Sequence, residues 1–169
     1  MTLCYRVLTP QDQPEWRELR LLGLKHHPES FLTTYDEQLV RPAEVERALL
    51  AQGKSWGAFL DGALVAMMAI SQETAAAAAH RASVMAVFVS PAVQGRGIGR
   101  AFVEHIKGAA KARRIWQLEL LVAEINHDAQ RFYRRAGFRE VGRLPNAALQ
   151  NGVAYTDIMM VCDLRAWGA

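Results

Sequence analysis

The order of apolar patterns in this 169-residue chain predicts an α/β (or α+β) domain, a mixed sheet covered by helices. Three observations carry that expectation. Short strand-like runs occur near the start, in the middle and at the end of the chain, and segments with apolar residues at helical spacing lie between them. A Gly-rich turn, Gln94-Gly95-Arg96-Gly97-Ile98-Gly99-Arg100, stands between an apolar run and an amphipathic segment. The length fits one domain, residues 1–169, with a sizeable core.

Residues 3–8 read as an edge strand, and Thr9-Pro10-Gln11-Asp12 as a turn or cap. A helix follows with Pro14 in its first turn and Trp16, Leu19, Leu22 and Leu24 as its stripe, ending before Pro28. Residues 28–41 form a polar and aromatic connection; Pro42 opens a second helix through Val45, Ala48 and Leu49, stopped by Gly53. Residues 55–60 and 63–71 are two strands joined by Asp61-Gly62, a strong hairpin signal. Residues 74–79 read as a small-residue loop, and 81–89 as a strand feeding the Gly-rich turn. Ile98, Phe102, Ile106 and Ala109/Ala110 mark a helix to about Arg113, and residues 115–122 a central strand. Asn126 caps the last helix, which places Ala129, Phe132 and Ala136 on one face and ends at Gly137. Residues 138–141 and 154–164 close the sheet.

Composition narrows the partners. With 51% hydrophobic and 22% charged residues the chain reads as an ordinary globular protein, and a net charge of +3 falls short of a nucleic-acid-binding signature. Cys4 and Cys162 lie near opposite ends without paired spacing or a Cys/His cluster. That argues against a metal site or a disulfide framework and for a reducing, cytoplasmic setting. Residues 1–10 hold no signal-peptide core and no window reaches membrane-spanning length, so export and membrane insertion are disfavoured.

The turn at 94–100 is where chemistry enters. A strand, a Gly-rich turn and a helix start, in that order, aim unpaired N–H groups and the positive end of a helix dipole at one place. A phosphorylated cofactor is the natural occupant. No Lys-Ser/Thr follows, so the ATP phosphate loop fails. Gly95, Gly97 and Gly99 have the wrong spacing for the dinucleotide fingerprint, and Glu119 lies inside a strand rather than at its end.

The pattern that remains is Gln-x-x-Gly-x-Gly, met by Gln94, Gly97 and Gly99. Further on, Asn126, Ala129, Tyr133, Gly137 and Phe138 fall in the pattern Asn-x-x-Ala-x-x-x-Tyr-x-x-x-Gly-Phe. In order and separation the two segments resemble the GNAT superfamily of acetyl-CoA-dependent N-acetyltransferases, closely over residues 81–141 and elsewhere through element order. The resemblance implies a single GNAT-like domain whose mixed, mostly antiparallel sheet of about six to seven strands has a V-shaped splay and about four flanking helices. It implies acetyl-CoA as co-substrate. Gln94 and the backbone of Gly95, Arg96, Gly97, Ile98, Gly99 and Arg100 would hold the pyrophosphate, and Val87, Phe88, Val89, Asn126 and Ala129 the pantetheine arm.

In the same resemblance Tyr133, which also touches the cofactor, protonates the departing thiolate; a phenol titrating near ~10 can do so at neutral pH. The glutamate that some members use as general base is replaced by Leu121. Glu119, on the same side of a regular strand, is the fallback, and Glu124 faces away. The acceptor pocket would take in the early connection, with Phe31 and Tyr35 as aromatic walls and Glu29, Asp36 and Glu37 drawing a cationic amine, together with residues 146–155. A small amine, an amino acid and a peptide N-terminus all fit as acceptor. The resemblance also implies a homodimer, which no apolar stripe argues independently. A non-catalytic acyl-CoA-binding module is the competing class; it would keep Gln94 to Gly99 and have no need of Tyr133.

Overall fold

The computed structural model describes residues 2–166. Its strands are β1 (Leu3–Val7), β2 (Ser55–Leu60), β3 (Ala63–Gln72), β4 (Arg81–Val89), β5 (Gln117–Ala123), β6 (Arg139–Gln150) and β7 (Val153–Asp163). The helices are α1 (Gln13–His26), α2 (Tyr35–Leu39), α3 (Ala43–Leu50), α4 (Ile98–Ala112) and α5 (His127–Arg135). Hydrogen bonds link seven strands in the order β1-β2-β3-β4-β5-β7-β6. β4 and β5 pair in parallel, whereas β1–β2, β2–β3, β5–β7 and β6–β7 are antiparallel, which is the mixed, mostly antiparallel sheet expected. The chain forms two compact units that divide within β3 after Ile70, within β4 between Met85 and Ala86, and within α4 after Phe102.

The first unit runs to Ile70 and resumes over Ala86–Phe102. Asp61 and Gly62 take the left-handed conformation that a two-residue hairpin turn demands, at φ 49° and 90°. They set the β2–β3 register from Leu60↔Ala63 to Ser55↔Ala69. α1 buries Trp16, Leu19, Arg20, Gly23 and Leu24, a stripe at helical spacing. Leu22 is only partly buried, and Arg20 and Gly23 take the central places instead. The reason for Gly23 is close approach: a Cβ there would lie 3.0 Å from the Phe88 ring and 3.2 Å from Phe31. Leu8, Trp16, Leu19, Leu24, Phe31, Leu50, Phe59, Met67 and Phe88 form one core, each large side chain contributing roughly 1.5–3 kcal/mol by burial.

The connection at 28–41 is not all loop. Thr34 and Glu37 form a reciprocal capping box, with Glu37 N donating to Thr34 Oγ1 at 3.2 Å and Thr34 N to Glu37 Oε2 at 2.7 Å. That pair opens the short helix α2.

The second unit comprises Ser71–Met85 and the chain from Val103 onward. The loop at 74–79 includes one 3-10 turn, Ala76–Ala78. β5 buries Leu118, Leu120 and Val122 and turns Glu119 and Leu121 to the other side. β6 begins near the expected place but runs to Gln150, far beyond Val141. Pro145 and two register shifts interrupt it without ending it, and Asn151-Gly152, both left-handed, close the hairpin to β7. On α5 the buried residues are Gln130 and Tyr133, with Ala136 just beyond, rather than Ala129 and Phe132. Tyr133 therefore lies at the centre of the buried face.

Candidate active site

In the first unit β4 gives way to a 3-10 turn, Pro91–Val93, which buries Val93 and leaves Gln94 to Gly97 exposed. Gln94 Nε2 donates to the Val89 carbonyl at 3.0 Å and ties the loop to the strand end. Gly95 and Gly97 sit at φ 75° and 78°, and a Cβ on either would meet nothing within 4 Å. These glycines serve backbone conformation and leave open space in front of them. The first helical bond of α4 runs from Ala101 N to the Gly97 carbonyl at 3.0 Å. The N–H groups of Ile98, Gly99 and Arg100 thus precede the helical ladder, at the positive end of a 15-residue helix. Exposed Arg96 and Arg100 add charge. A pyrophosphate fits this cradle.

Val87, Phe88 and Val89 follow an irregularity. Ala86 takes φ 52° in mid-strand, at a cost of about 1 kcal/mol for a residue with a Cβ. The parallel ladder of β4 with β5 covers only Arg81↔Gln117 to Ser83↔Glu119. The Phe88 ring joins the core, and the three residues extend beyond that ladder.

In the second unit Asn126 Oδ1 accepts from Ala129 N at 3.0 Å and starts α5. Tyr133 stacks edge-on with Phe132 and Phe138, at ring separations of 5.3 and 5.6 Å. Burial pushes its phenol well above the ordinary range, so it stays protonated at neutral pH. Among the described residues its hydroxyl has no hydrogen-bond partner, and its proton is not committed inside the protein. Lys107 Nζ donates to the Ala136 carbonyl and Phe138 N to the Tyr133 carbonyl at 2.9 Å, which fixes the end of the helix. Of the basic residues on α5, Arg131 pairs with Asp128 and Arg134 lies 3.8 Å from Glu140.

Glu119 is held by Arg81, whose Nη2 donates to Oε2 at 2.9 Å and whose Nε donates to Oε1. The Arg81 hydrogen bond draws its carboxyl below the ordinary range, with Gln117 Nε2 adding a bond at 2.9 Å. A carboxylate held this way is a weak base at neutral pH. Glu124 pairs with Arg143, and Leu121 is half exposed.

Of the acceptor candidates in the first unit, Phe31 is buried in the core and Tyr35 is exposed on α2. Glu29 lies 3.3 Å from His27 Nδ1. Sequence reasoning missed a polar cluster beneath them. Glu46, fully buried, accepts from Gln13 Nε2, Arg17 Nη1 and Gln38 Nε2, each at 2.5 Å, and Gln38 Oε1 accepts from Arg20 Nε at 2.8 Å. Its only trace in the sequence is that Arg20 falls on the stripe of α1 while charged residues normally avoid one.

A separate cavity of the second unit is lined by His80, Lys111, Arg113, Arg114, Trp116 and Arg165. It lies by the start of β5, whereas Asn126 follows its end. Among the described residues no cluster could hold a metal ion, and no helix is long and apolar enough to cross a membrane.

The chain is similar in sequence or in fold to several known proteins. A mycothiol acetyltransferase of Beutenbergia cavernae is 30% identical over 135 residues, which make up 79% of this chain and 43% of that protein. The chain therefore spans less than half of that relative's length. Among solved structures, yncA of Salmonella typhimurium, described with its cofactor acetyl-CoA, has a TM-score of 0.83 at 15% identity, covering 100% of this chain and 98% of that one. A ribosomal-protein-alanine N-acetyltransferase of Brucella melitensis has a TM-score of 0.81 at 18% identity, covering 95% and 99%. At such identities the structures speak for the fold alone. The Acetyltransferase (GNAT) family model matches residues 11–138, from the turn before α1 through Phe138, and on that match the chain belongs to the family.

Proposed function

We propose that this protein transfers the acetyl group of acetyl-CoA to a primary amine, in a reducing compartment where Cys4 and Cys162 remain thiols. The observation that carries the reading is the pair of left-handed glycines, Gly95 and Gly97, opening onto free space before α4. Acetyl-CoA supplies an activated thioester. The loop holds its pyrophosphate through backbone N–H groups, assisted by Arg96 and Arg100, and β4 beyond Ser83 offers backbone partners to the extended arm. The neutral amine forms the new C–N bond as the C–S bond breaks. Water first takes a proton from the ammonium form of the acceptor, since Glu119 is engaged by Arg81. Tyr133 then gives its phenolic proton to the leaving sulfur, and the proton shed by the acylated nitrogen returns to the Tyr133 phenolate.

The test is calorimetric titration with acetyl-CoA, followed by thiol release over an amine panel. Gly97→Val places a β-branched residue at φ 78° and is expected to abolish binding. Tyr133→Phe is expected to keep binding and lower kcat by about 10²-fold. Unchanged turnover in Tyr133→Phe removes the acid, and retained binding in Gly97→Val removes the loop. Binding without turnover of any amine would favour the non-catalytic module.

A further inference from the structure

Buried charges in proteins are paired or fully hydrogen-bonded, because an unpaired one is costly to desolvate. Arg20 on α1, 8% exposed, meets that rule only in part: its Nε is bonded, and its terminal nitrogens, which lack a protein acceptor, are not sealed from solvent. Its guanidinium carbon lies 5.4 Å from the Trp16 ring centre and 5.3 Å from that of Phe31. A guanidinium carries five N–H donors. Nε spends one on Gln38 Oε1, and among the described residues neither Nη has an acceptor. Glu46 is occupied by Gln13, Arg17 and Gln38. Burial lowers the Arg20 pKa to about 10 and Arg41 pushes the same way, against the pull of the Glu46 carboxylate.

The arrangement is built to orient the fork. Gln38, itself fully buried, gives its amide N–H to Glu46, and this turns its oxygen toward Arg20. With Nε held and a ring near the guanidinium on two sides, the Nη pair is fixed in direction. Arg17 and Arg20 against Glu46 leave one positive charge over. A carboxylate cancels one charge and accepts two parallel N–H bonds from such a fork.

Its location ties this fork to the acetyl-transfer reading. Gly23, about 4.5 Å further along α1, is in tight contact with Phe88 and Phe31. Phe88 stands between Val87 and Val89, the backbone assigned to the thioester arm. Phe31 is common to both contacts, touching the guanidinium and the Gly23 turn.

We propose that Arg20 is the acceptor-binding residue of this protein and that the acceptor is an amino acid, or a similar small amine, whose carboxylate docks on the Arg20 fork. The inference rests on the proposed acetyl transfer and narrows its substrate.

The experiment measures thiol release from acetyl-CoA with the L-amino acids and, in parallel, their amides. In the wild-type protein at least one free acid should exceed its amide by tenfold or more in kcat/KM, mostly through KM. Arg20→Gln should bring that acid down to the level of its amide with acetyl-CoA affinity retained, and Arg20→Lys should recover part of the difference through its charge. Equal use of acids and amides by the wild type overturns the proposal without need of any variant. So does turnover of no acid while acetyl-CoA still binds, or an equal loss for acid and amide in a folded Arg20→Gln. Failure of the wild type to bind acetyl-CoA is the separate result that sinks the underlying acetyl-transfer reading.

Discussion

Each unit buries one cation whose surroundings can be set against the other's, Lys107 on α4 in the second and Arg20 on α1 in the first. Lys107, 3% exposed, is 2.8 Å from Glu104 Oε1 and also donates to the Ala136 carbonyl at the end of α5. Its charge meets a carboxylate and the negative end of a helix. Arg20 meets one amide oxygen and two aromatic faces. The first cation is consumed by architecture: it holds the turn that carries Tyr133. The second keeps most of its donors in reserve. Burial of a charge says little about its role until its hydrogen-bonding capacity has been counted.

The contrast can be broken by mutation, and the anchor of the first unit gives the largest effect. Glu46→Ala strands Gln13 and Gln38 in the interior and takes the carboxylate from half-buried Arg17, and is expected to cost about 3 kcal/mol in urea unfolding. Lys107→Met removes hydrogen bonds made by a charged donor and should cost about 2 kcal/mol, with the near-ultraviolet signal of Tyr133 altered. Arg20→Met loses one bond and two ring contacts but also a largely desolvated charge with no carboxylate hydrogen-bonded to it, and its stability should stay within about 1 kcal/mol of wild type. A cost equal to that of Lys107→Met would make Arg20 architectural too and end the distinction.

The smallest effect is one of pH. The Tyr133 phenol titrates higher in the folded protein than in the unfolded chain, because burial disfavours the phenolate. Below about pH 10 both states are protonated and the residue contributes no pH dependence. Above it the unfolded chain ionises first, so stability falls as pH rises toward the folded value, by up to about 1.4 kcal/mol per pH unit. Tyr133→Phe should show a shallower alkaline decline in stability, and equal slopes would mean that the ring is not desolvated in solution.

Much of the frame was legible because its signals are local. Asp61-Gly62 and the Asn126 cap announce backbone conformations that few other residues adopt cheaply, and both stand where the sequence puts them. The Gly-rich turn is likewise local, and its left-handed glycines are where a sequence reader would look. What escaped depended on partners far along the chain or on weaker signals. α2 is too short for a periodicity, and only the Thr34-x-x-Glu37 capping pattern announces it. β6 runs past residues 138–141 because Pro145 and its register shifts interrupt the strand without ending it, and Asn151-Gly152 marks the true turn. The polar cluster joins Gln13, Arg17, Arg20, Gln38 and Glu46 from three helices, and each alone looks like a solvated side chain. No pattern in one sequence pairs residues 33 positions apart.

β6, the last strand in the sheet order, is long, and it carries half-exposed Val141 and Leu144 and more exposed Leu149. A strand of that length and composition would ordinarily template the addition of another chain. Here Pro145 lacks an N–H, Asn146 turns left-handed at φ 53°, and register shifts between Glu140 and Gly142 and between Leu144 and Ala148 break the row of donors and acceptors. Arg139, Glu140 and Arg143 put charge beside the first break. The irregularities that hid this strand in the sequence also keep its edge from nucleating a growing fibril.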